Sequence, residues 1–196
     1  MAIDRKRKEQ IYSTARSLFS ERGYPATTVR DIARRLNMQA GSLYAHIESK
    51  EDVLWEIVNH AADQFLEAVA PIAASDIPPA VKLREMVRAH VRVLADNLPD
   101  ATVFLQDWKH LSEPRRQSIL ERRKRYEALY RRVIEEGVRS GHFSPAADPK
   151  MGALLVLSAV NWMPQWYRPD GPLSPVEVAD AFTELILKGL SEGGCP

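Results

Sequence analysis

The sequence predicts an all-α protein. Apolar residues recur at three- and four-residue spacing along almost the whole chain, strand-like alternation is absent, and the stretches between periodic runs carry helix stop and start residues. With 196 residues, 45% apolar and 27% charged, the chain has the composition of a folded globular protein of one domain or a closely joined pair. About nine helices are expected: a three-helix N-terminal head and a larger helical body.

Ile11, Ala15, Leu18 and Phe19 mark a first helix, ended by Gly23 and Pro25. Thr27 or Thr28 caps a short second helix with an inner face of Val29, Ile32, Ala33 and Leu36. Asn37, which tolerates a left-handed turn, leads to a short third helix over about Gln39–Ala45. Ser49, with Asp52 three residues on, caps a long fourth helix whose stripe is Val53, Ile57, Ala61, Phe65 and Val69. Pro71–Pro79 reads as a break. Leu83, Val87, Val91 and Leu94 define a fifth helix, and a sixth runs over about Asp100–His110. A seventh begins after Pro114 and continues past Tyr126, Tyr130, Val133 and Ile134. The eighth, from about Pro149, is apolar on all sides over Met151–Val160, which predicts a central position. Pro164–Pro175 is a connector, and a last helix carries Val178, Phe182, Leu185, Ile186 and Leu190. The domain division expected is 1–50 for the head and 51–196 for the body, with the helix over 51–70 joining them.

Charge is unevenly placed. The net charge is only +1, but residues 1–50 hold ten Lys/Arg against five Asp/Glu, and the remainder is net acidic. A basic head on an acidic body suits an anionic polymer bound at one end. The single cysteine, Cys195, excludes a disulfide framework and any multi-cysteine metal site. Met1–Gln10 lacks the apolar core of a signal peptide and no apolar run reaches 18 residues, so a cytoplasmic protein with no membrane partner is expected. Enzyme signatures are missing. The only adjacent glycines are Gly193–Gly194, and His46, His60, His90, His110 and His142 include no pair at i, i+3 or i, i+4, so neither a phosphate-cradling loop nor a helical metal site is expected.

The strongest signal lies in the head. Two short helices joined by a tight turn have helix-turn-helix proportions. The apolar positions among them fix the angle between the helices, and the second then presents Gln39, Ala40, Gly41, Ser42 and Tyr44. Small residues let a helix sink into a major groove, where hydroxyl and amide groups meet base edges or phosphates. Helix N-termini at Thr28 and Ser49 offer N–H groups to phosphate, and Arg5–Lys8 and Lys50 add positive charge.

The run Ala15–Leu18–Phe19, Gly23–Tyr24, Thr27–Ala33, Gly41–Tyr44 and Ser49–Lys50–Glu51 closely resembles the DNA-binding head of the TetR family of bacterial transcriptional regulators, over roughly residues 8–58. The resemblance implies a homodimer reading a palindromic operator, with a C-terminal body that holds an inducer and dimerises through its last two helices. Carried over by position, it makes Thr28, Gln39, Ser42, Tyr44, His46 and Lys50 the DNA contacts and Gly41 the close-approach glycine. Three positions depart from the family pattern. Gln39 replaces a Ser or Thr cap, Ala40 replaces a polar reader, and Ile47 replaces an aromatic; Arg30 and Arg34 are candidates to supply the missing contacts.

The body gathers Phe104, Trp108, Tyr126, Tyr130, Trp162, Trp166 and Tyr167, which are either ordinary core or the lining of an apolar tunnel. His90, inside an apolar stripe, is read as a core or pocket-wall residue. The segment Asn161–Gly171 resembles the Asn-Trp…Trp-Tyr…Gly stretch of the acyl-CoA-responsive branch of the family, which implies a thioester effector and no cofactor. Arg122–Arg125, with Arg115 and Arg116, is either a solvated face paired to Glu121 and Glu127 or the cradle for that effector's phosphates, with Arg122 and Arg125 as its candidates. The alternative is a regulator of the same fold that answers to another hydrophobic molecule, such as a drug or a signalling compound. Leu154, Leu155, Phe182, Leu185 and Ile186 are the expected dimer interface.

Overall fold

The computed structural model describes residues 2–191. Cys195 and Gly193–Gly194 lie outside them. Among the described residues, nine α-helices follow one another: α1 (Ala2–Arg22), α2 (Val29–Arg35), α3 (Ala40–Leu43), α4 (Lys50–Ala73), α5 (Pro79–Asp96), α6 (Leu98–Gln106), α7 (Glu113–Arg139), α8 (Pro149–Asn161) and α9 (Pro175–Ser191). Single 3-10 turns occupy Trp108–His110 and Met163–Gln165, and the described residues contain no strand.

The chain forms two compact units. One comprises Met1–Ala62 and Leu98–Leu120, the other Asp63–Asn97 and Glu121–Pro196. In the first, Ile11, Ala15, Leu18, Phe19, Ile32, Ala33, Leu43, Val53, Leu54 and Ile57 form one small core, and α6 packs along α1. α6 thus joins the N-terminal helices although it begins 76 residues after the end of α1. In the second, α9 runs along α5 and α8 packs on both, over Leu83, Met86, Val87, Tyr130, Ile134, Val156 and Val160. Fully burying side chains of this size contributes about 1.5–3 kcal/mol each. Ion pairs tie this unit together: Lys82 Nζ with Glu136 at 2.8 Å, and Arg88 with both carboxylate oxygens of Asp180 at 2.6 and 2.8 Å.

Several elements differ from expectation. α4 runs through Pro71 to Ala73, because Pro71 and Glu67, whose carbonyl loses its N–H partner there, both face solvent. The break is therefore 74–78. The sixth helix stops at Gln106 and tightens into the 3-10 turn. The third is a single turn, and Gln39 at its N-cap makes no side-chain capping bond. α8 is not central. Gly152, Ala153, Val156 and Val160 are buried, but Met151, Leu154, Leu155 and Trp162 form an exposed apolar stripe on its other face.

The corner between α7 and α8 turns on glycine. Gly141 takes φ +75°, and a Cβ on Gly137 would overlap the Phe143 ring, which fills that space and is itself buried. Ser144 N–H then bonds Leu190 O at 2.8 Å, which ties the start of the α8 approach to the end of α9.

Candidate functional site

The helix-turn-helix is held by local hydrogen bonds. Thr28 Oγ accepts from Asp31 N–H at 3.2 Å, and the Asp31 carboxylate accepts from Thr28 N–H at 2.9 Å, a reciprocal cap. The Thr28 hydroxyl bond to Asp31 holds that carboxyl below its usual range. Asn37, at φ +53°, makes the turn, and Met38 N–H bonds back to Ala33 O at 2.9 Å. Ile32, Ala33 and Leu43 are buried, whereas Val29, Leu36 and Met38 are half-buried at the edge of the same core. With the inner side fixed, α3 and its flanks turn Gln39, Gly41, Ser42 and Tyr44 outward; Tyr44 is 56% exposed. A Cβ on Gly41 would meet nothing within 4 Å, so glycine there is not required by the fold. Thr28 and Arg30 are exposed beside this face, and Ala40 and His46 are half-buried.

Lys50 is placed differently. Its ammonium donates to Tyr24 O at 2.9 Å and Thr27 O at 2.8 Å and lies 3.9 Å from the centre of the Tyr24 ring. Around it the first unit holds several charged groups of α6, α7 and the turn between them against the N-terminal helices. Asp107 accepts Tyr24 N–H at 3.1 Å. Arg16 pairs with buried Asp100 at 3.1 Å. Arg115 pairs with Asp52 at 2.5 Å and Glu51 at 3.5 Å, and Ser112 donates to Glu51. Burial pushes the Asp100 and Asp107 carboxyls above their usual range, against the opposing pull of Arg16 and of Tyr24 N–H respectively. The partners of Asp107, Arg16, Arg115 and Ser112 lie 61 to 84 residues away in sequence, so no local signal announces them.

In the second unit, His90 is buried and its Nδ1 lies 2.8 Å from the Tyr126 hydroxyl; the rings of Phe65 and Tyr126 pack around it. Tyr126 and Tyr130 hydroxyls are 3.5 Å apart, and Tyr130 donates to Met86 O. Desolvation pushes the His90 imidazole down to about 3, with the Asn161 side chain opposing the shift, so the ring is neutral at physiological pH. His90, Tyr126, Tyr130 and Asn161 thus meet in one polar-aromatic cluster. Phe104 and Trp108 belong to the first unit instead. Trp162 is 65% exposed, and Trp166 packs edge-on against Phe182. Arg122 pairs with Asp63, and Arg125 is exposed. Leu154, Leu155 and Leu185 are exposed and Phe182 half-exposed, whereas Ile186 is buried within the chain. A cavity of about 580 Å³ between the ends of α4 and α7 is lined by Ala70, Ala73, Val133, Arg132 and Arg139 among others, and by none of the residues expected from the sequence. Among the described residues, no three His, Cys, Asp or Glu side chains are grouped to hold a metal ion, and no helix is long and apolar enough to cross a membrane.

Residues 11–57 match the family of bacterial regulatory proteins, tetR family, and residues 76–190 match the tetracyclin repressor-like C-terminal domain. The chain belongs to the TetR family. Among relatives of this TetR-family chain, the transcriptional repressor KstR2 of Rhodococcus jostii is 31% identical, over 94% of this chain and 91% of that one. The structure of KstR2 of Mycobacterium tuberculosis, a ketosteroid transcriptional regulator, superposes with a TM-score of 0.89 at 27% identity, over 95% and 96% of the two chains. PfmR of Thermus thermophilus gives 0.83 at 37%, over 93% and 99%. AibR, solved in complex with isovaleryl coenzyme A and operator DNA, gives 0.81 at 29%, over 91% and 97%. The TetR-family head and body make this chain a DNA-binding, ligand-responsive transcriptional regulator, not an enzyme.

Proposed function

We propose that the protein is a homodimeric repressor of a palindromic operator, released by an acyl-CoA thioester. In this reading residues 1–50 are the DNA-binding domain and 51–196 the effector-binding and dimerisation domain. The face from Gln39 to Tyr44, with Thr28, Arg30 and His46, contacts successive major grooves, which lie about 34–36 Å apart. The exposed apolar residues of α8 and α9 pair with their copies in a second chain. The polar-aromatic cluster of His90, Tyr126, Tyr130 and Asn161 forms a wall of the acyl site. Arg122 and Arg125 stand at the nucleotide end, and Trp162 and Trp166 extend the apolar lining. One observation carries the choice of effector: the likeness to AibR, a protein solved with isovaleryl coenzyme A, extends over nine-tenths of this chain.

The effector acts only through a difference in affinity between the operator-binding and released states. A hundredfold fall in operator occupancy needs a preference of about 2.7 kcal/mol for the released state. Thermal-shift titration against acyl-CoA thioesters, the matching free acids and uncharged hydrophobes tests the reading. Thioesters are expected to raise the melting temperature and to release the operator. Equal stabilisation by free acids, or by uncharged hydrophobes alone, rejects the thioester and favours a different hydrophobic effector.

A further inference from the structure

We infer that Lys50 and Asp107 are positioning residues that grip the turn before α2 from two sides and so aim the helix-turn-helix, and that Lys50 is not a phosphate contact. The inference rests on the protein's operator binding but not on the identity of its effector.

A lysine ammonium has three N–H donors and no other polar function. In Lys50 two of them end on Tyr24 O and Thr27 O, and the ammonium sits over the face of the Tyr24 ring, so its capacity is filled inside the protein. Both carbonyls belong to the turn between α1 and α2, and Lys50 is the first residue of α4. The same turn is held from the other side. Asp107, just past α6, accepts the Tyr24 N–H, and the His110 ring stacks on the Tyr24 ring with centroids 5.8 Å apart. Tyr24 is thus bonded at its N–H by one segment and at its carbonyl by another, with Phe19 edge-on to its ring. Thr27 ends the turn, buried, its hydroxyl donated to the backbone carbonyls of Gly23 and Leu18. The next residue, Thr28, caps α2. A rotation of this turn therefore rotates α2, and with it α3.

Moving the ammonium out to a phosphate would strip two carbonyls of their donor and withdraw a cation from Asp107, whose carboxylate favours the charged lysine against the burial that disfavours it. An exposed lysine on a DNA face has no such ties. The segment carrying Asp107 and His110 follows α6 directly, so a displacement of α6 is carried to the turn before α2 by the Tyr24 ring and its N–H bond to Asp107, beside the contacts that α6 makes with α1.

The test measures the salt dependence of binding to a duplex that the wild-type protein selects from a random pool, for Lys50→Met, Lys50→Arg and Asp107→Ala. A positioning role predicts that Lys50→Met and Asp107→Ala each weaken binding about tenfold, with the slope of log K against log salt unchanged. The double variant should lose about as much as either single one, since the two residues act on one turn. Lys50→Arg should lose as much as Lys50→Met, because the wider, rigid guanidinium cannot take the ammonium's place between the two carbonyls and the ring without displacing the turn. Lys50→Arg keeps charge and bulk, so it carries the test alone should Lys50→Met not fold. Wild-type affinity in Lys50→Arg overturns the inference. So does a slope reduced in Lys50→Met by about 0.9 per copy, about 1.8 for a dimer, which is the signature of a lost phosphate contact.

Discussion

Both units carry ion pairs, Arg16–Asp100 in the first and Lys82–Glu136 in the second, but they treat the titratable groups at their centres differently. The first keeps Asp100 and Asp107 beside partners that favour charge, Arg16 in one case and Tyr24 N–H in the other, and uses them to hold α6 and its following turn to the N-terminal helices. The second keeps His90 neutral in an aromatic enclosure and leaves a stripe of α8 and α9 apolar and exposed. The first unit's pairs join segments far apart in sequence, and their strength changes steeply with distance and geometry, which suits a seam whose orientation must be adjustable. Neutral packing and an uncovered apolar face suit a part that is completed by another surface.

The largest expected effect breaks this contrast at the uncovered face. Leu155→Arg combined with Leu185→Arg places two charges per chain where the pairing surface should close. Sedimentation should show monomers, and operator affinity should fall more than a hundredfold while the melt of the isolated chain barely changes, since both side chains are already in water. An unaltered dimer would assign the stripe to some other contact.

A smaller effect separates the units by pH. The folded pKa of His90 is depressed to about 3 from an ordinary 6.5, so the unfolded chain takes up the proton first. Its contribution is complete above pH 6.5 and is lost as pH falls towards 3, about 2 kcal/mol by pH 5. Asp100 and Asp107 have folded pKa values raised above 3.8, so in their window acidification favours the folded form. Acid should therefore weaken the body first. His90→Gln should flatten the dependence of melting temperature on pH between 6.5 and 4; a curve unchanged in shape would show that the imidazole already titrates in the folded protein.

The smallest effect on stability sharpens what the reading face is for. Gly41→Ala adds a methyl into open space and improves helix propensity, so stability should hold or rise by about 0.5 kcal/mol. Operator affinity should nevertheless drop about tenfold, because the methyl meets the groove floor. Equal operator binding by the alanine variant would move the reading face elsewhere.

The difference between the units also explains what could be read from the sequence. The helix-turn-helix was legible because its cap, its left-handed Asn37 and its core residues lie within about twenty positions of one another. The clamp on Tyr24 was not, because Asp107 is 83 residues away and nothing in its neighbours marks it as a partner. Lys50 was visible, but as a contact to DNA; only the positions of the Tyr24 and Thr27 carbonyls show where its ammonium points. α8 misled for a physical reason. A helix apolar all round fits the middle of one chain or the seam between two, and composition does not distinguish them. The effector lining drew on Phe104 and Trp108 as well as His90 and Tyr126 because aromatic content carries no address.

The missing side chain at Gly137 has a consequence for assembly. Phe143 occupies the space a methyl would take, and that seat sets the angle at which the backbone leaves α7 and meets the last turn of α9. Even alanine there would evict the ring and tilt everything downstream, although residue 137 touches neither nucleic acid nor a second subunit in the reading given above. In the proposed dimer, one absent carbon thus helps to set the angle at which the two copies would meet.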